Sequence, residues 1–140
     1  MPDEPTDAND PVVEEFRATA GAPGGRVAHL PLLLLTTTGA RSGKRRTVPL
    51  TYLAHGDSFV VAAGAAGGNP AWLHNVLAHP AVTMELGAQR LDAVAQVALG
   101  AERQRLFDRF AGEQPQLLTY QAQADRDIAM VLLTPIAAKA

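Results

Sequence analysis

Cysteine is absent from this 140-residue chain. That removes disulfide frameworks, thiolate zinc sites, iron–sulfur clusters and a cysteine nucleophile together. Serine occurs only as Ser42 and Ser58, and neither sits in a Gly-x-Ser-x-Gly frame, so no nucleophile elbow of the hydrolase kind is present. Aromatic residues make up 5% of the chain, too few for the stacking platforms that single-stranded nucleic acid requires. No apolar run approaches the ~18 residues of a membrane helix, and Leu32 to Leu35 suits a buried strand instead. The N-terminus lacks a basic region followed by an apolar core, so a secretory signal is not expected and the cytoplasm is the expected compartment. His29, His55, His74 and His79 do not share a helical face, and no metal site is expected from them.

What remains is a chain with 47% hydrophobic and 19% charged residues, which can bury a core of single-domain size. The net charge of −2 hides an asymmetry. Six of the 14 acidic residues fall within the first 15 positions, whereas all 12 basic residues come later. Four of those bases, Arg41, Lys44, Arg45 and Arg46, crowd into six positions. One dense basic knot without interleaved aromatics points to a small anionic ligand, not to a nucleic-acid track.

Residues 1–10, acidic and proline-containing, read as a disordered arm, and residues 11–140 as one domain. Asp10-Pro11 resembles a helix start, with Asp10 as cap and Val12, Val13 and Phe16 at helical spacing. Strands are expected at Leu32–Thr38, Thr47–Ala54, Ser58–Ala63, Val82–Leu86, Gln89–Ala98 and Ile128–Leu133. Pro49 within the second marks a bulge or a sheet edge. Asn69-Pro70 repeats the cap-plus-proline start for a helix to Ala78, stopped by His79-Pro80. Further helices are expected at Ala101–Phe110 and Pro115–Ala124. Hairpin connections dominate, so the sheet should be largely antiparallel, and the fold class is mainly β or α+β: a small barrel of six or so strands with flanking helices.

Two segments could carry chemistry. In Thr36-Thr37-Thr38-Gly39-Ala40-Arg41-Ser42-Gly43-Lys44-Arg45-Arg46, two glycines permit a sharp backbone turn. Ser42 adds a hydroxyl, and Arg41, Lys44 and Arg46 add charge suited to phosphate or carboxylate. Three residues between Gly39 and Gly43 do not make a Walker A loop. A solvated hairpin loop has the same composition. In Ala62-Ala63-Gly64-Ala65-Ala66-Gly67-Gly68-Asn69-Pro70-Ala71-Trp72, small residues leave room for a flat ligand beside a helix N-terminus. A flexible loop before a capped helix is the plainer reading of these residues. Trp72, the only tryptophan, is either a core anchor or a stacking platform. Tyr120 could line a pocket and lend a proton, and Asp125-Arg126 reads as a turn between helix and strand.

Four of these pieces, in this order, resemble the deazaflavin-dependent nitroreductase family of split β-barrel oxidoreductases. They are Leu33–Gly39 running into Arg41-Ser42-Gly43-x-x-Arg46-x-x-Pro49-Leu50; Gly56-Asp57 with Val60–Ala63; Asn69–Trp72 with Asn75 and His79-Pro80; and Tyr120-Gln121 with Asp125-Arg126-x-Ile128. The resemblance spans residues 9–135. It implies a split barrel that uses reduced coenzyme F420, an 8-hydroxy-5-deazaflavin, to deliver hydride to a quinone, enone or nitro acceptor. It implies that Arg41, Ser42, Lys44 and Arg46 grip the cofactor's phosphate and acidic tail, and that Pro49 packs near the ring. Backbone amides at Ala62, Ala63 and Gly64 would meet the ring's polar edge. Trp72 and Asn75 would shape the groove, and Tyr120 would lie on the substrate side as the catalytic candidate. Members usually carry a serine and a basic residue where this chain has Gly64 and Ala65, so one hydroxyl and one cation of the pattern are missing. A non-catalytic F420 carrier and an FMN or haem-degradation barrel are the alternatives. The partner set is a small-molecule substrate, with no nucleic acid and no transmembrane segment, peripheral membrane contact left open, and a monomer or homodimer as the assembly.

Overall fold

The computed structural model describes residues 10–20, 31–64 and 70–136. The expected acidic arm at residues 1–10 therefore lies outside the described residues except for Asp10, which begins the first helix, and most of the glycine-rich loop and Asn69 lie outside them as well.

Chain order is α1 (Asp10–Ala18), β1 (Leu32–Thr38), β2 (Arg45–Thr51), β3 (Leu53–His55), β4 (Ser58–Ala63), α2 (Ala71–Ala78), β5 (Ala81–Leu86), β6 (Gln89–Val97), α3 (Gly100–Glu113), α4 (Gln116–Gln123) and β7 (Ala129–Pro135). The seven strands form one sheet in the order β2-β1-β5-β6-β7-β4-β3, and every pairing is antiparallel. The two edge strands, β2 and β3, are neighbours in the chain, separated only by Tyr52. One residue cannot bridge opposite ends of a flat seven-stranded sheet, whose strands lie almost 5 Å apart. The sheet must therefore curl until its edges approach, which makes the split barrel.

Tyr52 fixes that corner through its backbone. Its N–H donates to Pro31 O at 3.0 Å, and its carbonyl accepts from Gln114 Nε2 at 3.1 Å. Its ring packs on Phe59 with centroids 5.7 Å apart. The expected single strand Thr47–Ala54 is thus two strands, interrupted where the chain changes edge. Pro49 sits on edge strand β2 opposite Leu34, where a residue lacking an N–H is tolerated.

Strand alternation explains the cores. Leu33 and Leu35 of β1, Val61 and Ala63 of β4, and Val131 and Leu133 of β7 face the barrel interior. Trp72, Leu73 and Val76 of α2 complete this core. The intervening residues are covered from outside. Leu34 packs under Val13 and Phe16 of α1. Val60, Ile128 and Met130 pack under Leu106, Phe107 and Phe110 of α3 and Leu117 of α4. With both faces covered, β1 reads as a continuous aliphatic run and not as an alternation. Helix α2 ends where His79 adopts an extended backbone before Pro80, as a residue preceding proline must. Pro70 sits at its cap, one position before the first helical turn expected of it. Among the described residues no helix is long and apolar enough to cross a membrane.

Candidate functional site

The β1–β2 connection closes as a tight basic loop. Gly39 N–H donates to Lys44 O at 2.7 Å, and Gly43 N–H donates to Gly39 O at 3.0 Å. Gly43 has φ +73°, a left-handed value that other residues adopt at a cost. A Cβ on Gly39 would lie 2.5 Å from Ser42 Oγ and 3.2 Å from Lys44 O, so a side chain there would turn the Ser42 hydroxyl away and press on the Lys44 carbonyl. Ser42 Oγ accepts the Lys44 N–H at 3.1 Å, which leaves its own proton available to a ligand.

Helix α2 braces this loop from behind. Asn75, 6% exposed, accepts the Ala40 N–H on Oδ1 at 2.9 Å and donates from Nδ2 to Thr37 Oγ1 at 3.0 Å. Arg41, Ser42 and Lys44 are exposed at the loop surface. Arg46 is half-buried across the hairpin from Thr37. Arg45, one residue away, necessarily faces the other side of the strand. Its Nη2 donates to Thr83 Oγ1 at 2.8 Å, so this fourth base is spent on the sheet.

At the far end of β2 a cleft of about 360 Å³ opens. Ala62, Gly64, Phe110 and Leu117 give it an apolar lining, while Thr51, Gln116 and Tyr120 contribute polar groups. Tyr120 lines the cleft and is 45% exposed. The six residue steps from Arg45 to Thr51 correspond to about 20 Å. A cationic loop and an apolar slot at that separation suit an elongated ligand with a flat head and an anionic tail. Deazaflavin F420, with its planar ring and phosphate-bearing acidic tail, fits that description.

The residues expected to form a site fall into three sets. Arg41, Ser42, Lys44 and Arg46 lie in or beside the basic loop, with Asn75 behind it. Ala62, Gly64 and Tyr120 meet at the cleft, and Pro49 shares a strand face with Thr51 beside it. Trp72 and the Ala63 side chain stand apart. Trp72 is 7% exposed and Ala63 fully buried, both in the interior core. Trp72 therefore anchors α2 and offers no open face for stacking, and Ala63 can contribute only through its backbone.

One structural feature near the cleft escaped the reading of the sequence: a carboxamide hub at Gln121. Its Oε1 accepts Arg103 Nη2 and the Ile128 N–H, each at 2.9 Å, and its Nε2 donates to Arg126 O at 2.7 Å. Arg126 Nη2 in turn donates to Ala63 O at 3.1 Å. Arg103 also donates to Ile128 O and stacks on Phe107, 4.5 Å from the ring centroid. Only the Tyr120-Gln121 and Asp125-Arg126 pairs hinted at it.

This curled antiparallel sheet is the split barrel of flavin and deazaflavin reductases. The profile described as F420H(2)-dependent quinone reductase matches residues 11–135. An F420H(2)-dependent quinone reductase of Mycobacterium tuberculosis is 34% identical over 125 residues, covering 85% of this chain and 84% of its own. A solved F420-H2 dependent reductase, FDR-A, matches with TM-score 0.67 and 33% identity, over 75% of this chain and 97% of that one. A second solved chain, described as a domain-swapped dimer, matches with TM-score 0.69 and 31% identity over 88% of this chain and 92% of that one. HutZ of Vibrio cholerae, described as a heme protein, shares the fold at 15% identity and TM-score 0.60. The chain belongs to the F420H(2)-dependent quinone reductase family. It is an oxidoreductase, and coenzyme F420 is its cofactor.

Proposed function

We propose that this protein reduces a quinone with F420H2, holding the cofactor along β2 with its ring on the β4 side of the cleft and receiving the acceptor over that ring on the Tyr120 side. The observation that carries the proposal is the placement of the braced basic loop and the apolar cleft at opposite ends of one edge strand. Arg41, Ser42, Lys44 and Arg46 would hold the phosphate and carboxylates of the tail through charge-assisted hydrogen bonds. Pro49 and the Ala62–Gly64 backbone would seat the ring system. When bound, the reduced deazaflavin supplies a hydride. Phe110 and Leu117 exclude water from the apolar lining of the cleft, which favours transfer to an organic acceptor over loss to solvent. The Tyr120 hydroxyl, or water beside it, donates the one proton that, with the hydride, completes a hydroquinone.

Gly64 contributes no hydroxyl to orient a bulky nitroaromatic, which favours a compact quinone as the acceptor. The protein on this reading is a cytoplasmic monomer or homodimer whose partner is a small molecule. Fluorescence titration with F420 followed by stopped-flow mixing of the F420H2 complex with a quinone panel tests it. Rapid oxidation of the bound cofactor is expected. Tight binding with no oxidation by any quinone would leave only a carrier.

A further inference from the structure

We propose that Gln121 is a positioning residue that sets the width of the acceptor cleft and so selects the size of quinone accepted. This rests on the cleft being the acceptor site. The two walls of the cleft belong to separate elements: Gln116, Leu117 and Tyr120 to α4, and Ala62 to β4 with Gly64 just past its end. These elements are not paired by any ladder; β4 pairs with β3 and β7. Besides the apolar packing of Leu117 with Val60 and Ile128, a short chain of hydrogen bonds with Gln121 at its centre joins them. The carboxamide leaves α4 one residue after Tyr120 and holds Arg126 by its carbonyl at 2.7 Å. Arg126 then grips Ala63 O at 3.1 Å, immediately before Gly64. The same carboxamide ties α4 to the start of β7 through the Ile128 N–H and to α3 through Arg103.

Glutamine is suited to this task because one side chain must both accept two N–H groups and donate one. A carboxylate could keep both acceptances but would face the Arg126 carbonyl with no proton to give. An apolar residue would drop all three bonds. Gly64 adds no side chain to the opposite wall, and a Cβ there would meet Leu117 and Ile128 only at ordinary contact distances of 3.6 Å. Leu117 and Ile128 therefore pack near Gly64 without crowding it. The tether adds a polar restraint of fixed length on the separation of the two walls.

The test uses Gln121→Ala and the isosteric Gln121→Glu in the full chain. A single-ring quinone (2,6-dimethyl-1,4-benzoquinone) and a two-ring quinone (2-methyl-1,4-naphthoquinone) are the acceptors. The chain has no thiol for either to alkylate. The ratio of kcat/KM for the two-ring to the single-ring acceptor should rise about fivefold in Gln121→Ala, with a smaller rise in Gln121→Glu. A loss of folded enzyme cancels in this ratio, so a purely structural role would not move it. In the cofactor-free protein, amide exchange across 124–130 should accelerate, because the Ile128 N–H loses its acceptor. An unchanged acceptor ratio in both variants would overturn the proposal, whether or not exchange accelerates. If the unaltered protein turns over neither quinone, the proposed activity fails. The width argument is then read from the ratio of dissociation constants for the two quinones, and an unchanged ratio in the variants would overturn it.

Discussion

Replacing Asn75 by alanine isolates the brace behind the anion loop. The substitution removes two hydrogen bonds, one from the Ala40 N–H and one to Thr37 Oγ1, each worth about 1 kcal/mol net. The consequences at the two partners differ. Ala40 is exposed, so its N–H regains water. Thr37 is 1% exposed, and its hydroxyl is left buried beside the space vacated by the carboxamide, which adds about 1 kcal/mol. The total is about 2–3 kcal/mol. For a chain of this size that lowers the melting temperature by about 6–12 °C. The Gly39–Lys44 and Gly39–Gly43 backbone bonds survive, so the hairpin persists but its tip is no longer held against α2. F420 must then order the loop on binding, and affinity should fall about tenfold, or about 1.4 kcal/mol. Asn75→Asp keeps an acceptor for Ala40 and places negative charge under the bases, so its affinity should fall further than its stability. Thermal melts give the first quantity, and titration at a temperature well below the melt gives the second. An Asn75→Ala protein that melts within about 2 °C of the parent and binds F420 unchanged would show that the loop is ordered without the brace.

Arg41→Ala and Arg46→Ala should each weaken F420 binding by about 1.5–3 kcal/mol, the scale of a hydrogen bond to a charged group. The loss should shrink in high salt, and calorimetric titration showing unchanged affinity in both would refute the anion site. Tyr120→Phe should leave the melting temperature unchanged, since the side chain is 45% exposed, and lower quinone turnover by no more than about 100-fold; full activity would assign the proton to water alone. Gln114→Ala removes the Tyr52 corner bond at a residue only 7% exposed, and should lower the urea midpoint by the equivalent of about 1–2 kcal/mol without changing the slope. Arg17 forms a paired contact with Glu85 at 2.8 and 3.1 Å, and that hydrogen bond, more than the Coulomb attraction, holds its pKa above the ordinary value. A raised basic pKa stabilises below the unfolded value and is lost only as pH rises past the folded one. The contribution of Arg17 is therefore flat from about pH 6 to 9, and Arg17→Met should cost less than about 1 kcal/mol throughout that range. Melts at several pH values check both statements.

The local elements were legible because each carries its own punctuation. Leu32–Thr38 is bounded by Pro31 and Gly39, and its bounds as a strand coincide with those expected. Gly87-Ala88 and His55-Gly56-Asp57 mark hairpins, and Pro49 marks an edge, all as found. The closure of the barrel was not legible at its decisive residue. Tyr52 is an ordinary strand former, and nothing local says that the chain leaves one sheet edge there for the other. That fact depends on Pro31 and Gln114, which are 21 and 62 positions away.

The candidate site divides along the same physical line. Charge is visible in composition, so the basic knot stood out at once. The direction of charge is a matter of strand parity, which only the register supplies: Arg46 lies opposite Thr37 and Arg45 opposite Thr38. One residue of slip would exchange their roles and send Arg46 to Thr83. Asn75 was legible as a residue of interest but not as a brace, because its partners lie 35 and 38 positions earlier. Gln121 was the least visible, since a glutamine on a short helix ordinarily belongs to solvent. It turns inward because α4 stops at Gln123 and the returning chain presents an Arg126 carbonyl and an Ile128 amide within reach. Polar residues that work by holding backbone in place acquire their function from where the chain returns. The anion loop and the acceptor cleft each depend on one such carboxamide, so disruption of Asn75 should act on cofactor affinity and disruption of Gln121 on acceptor choice, with little crossover.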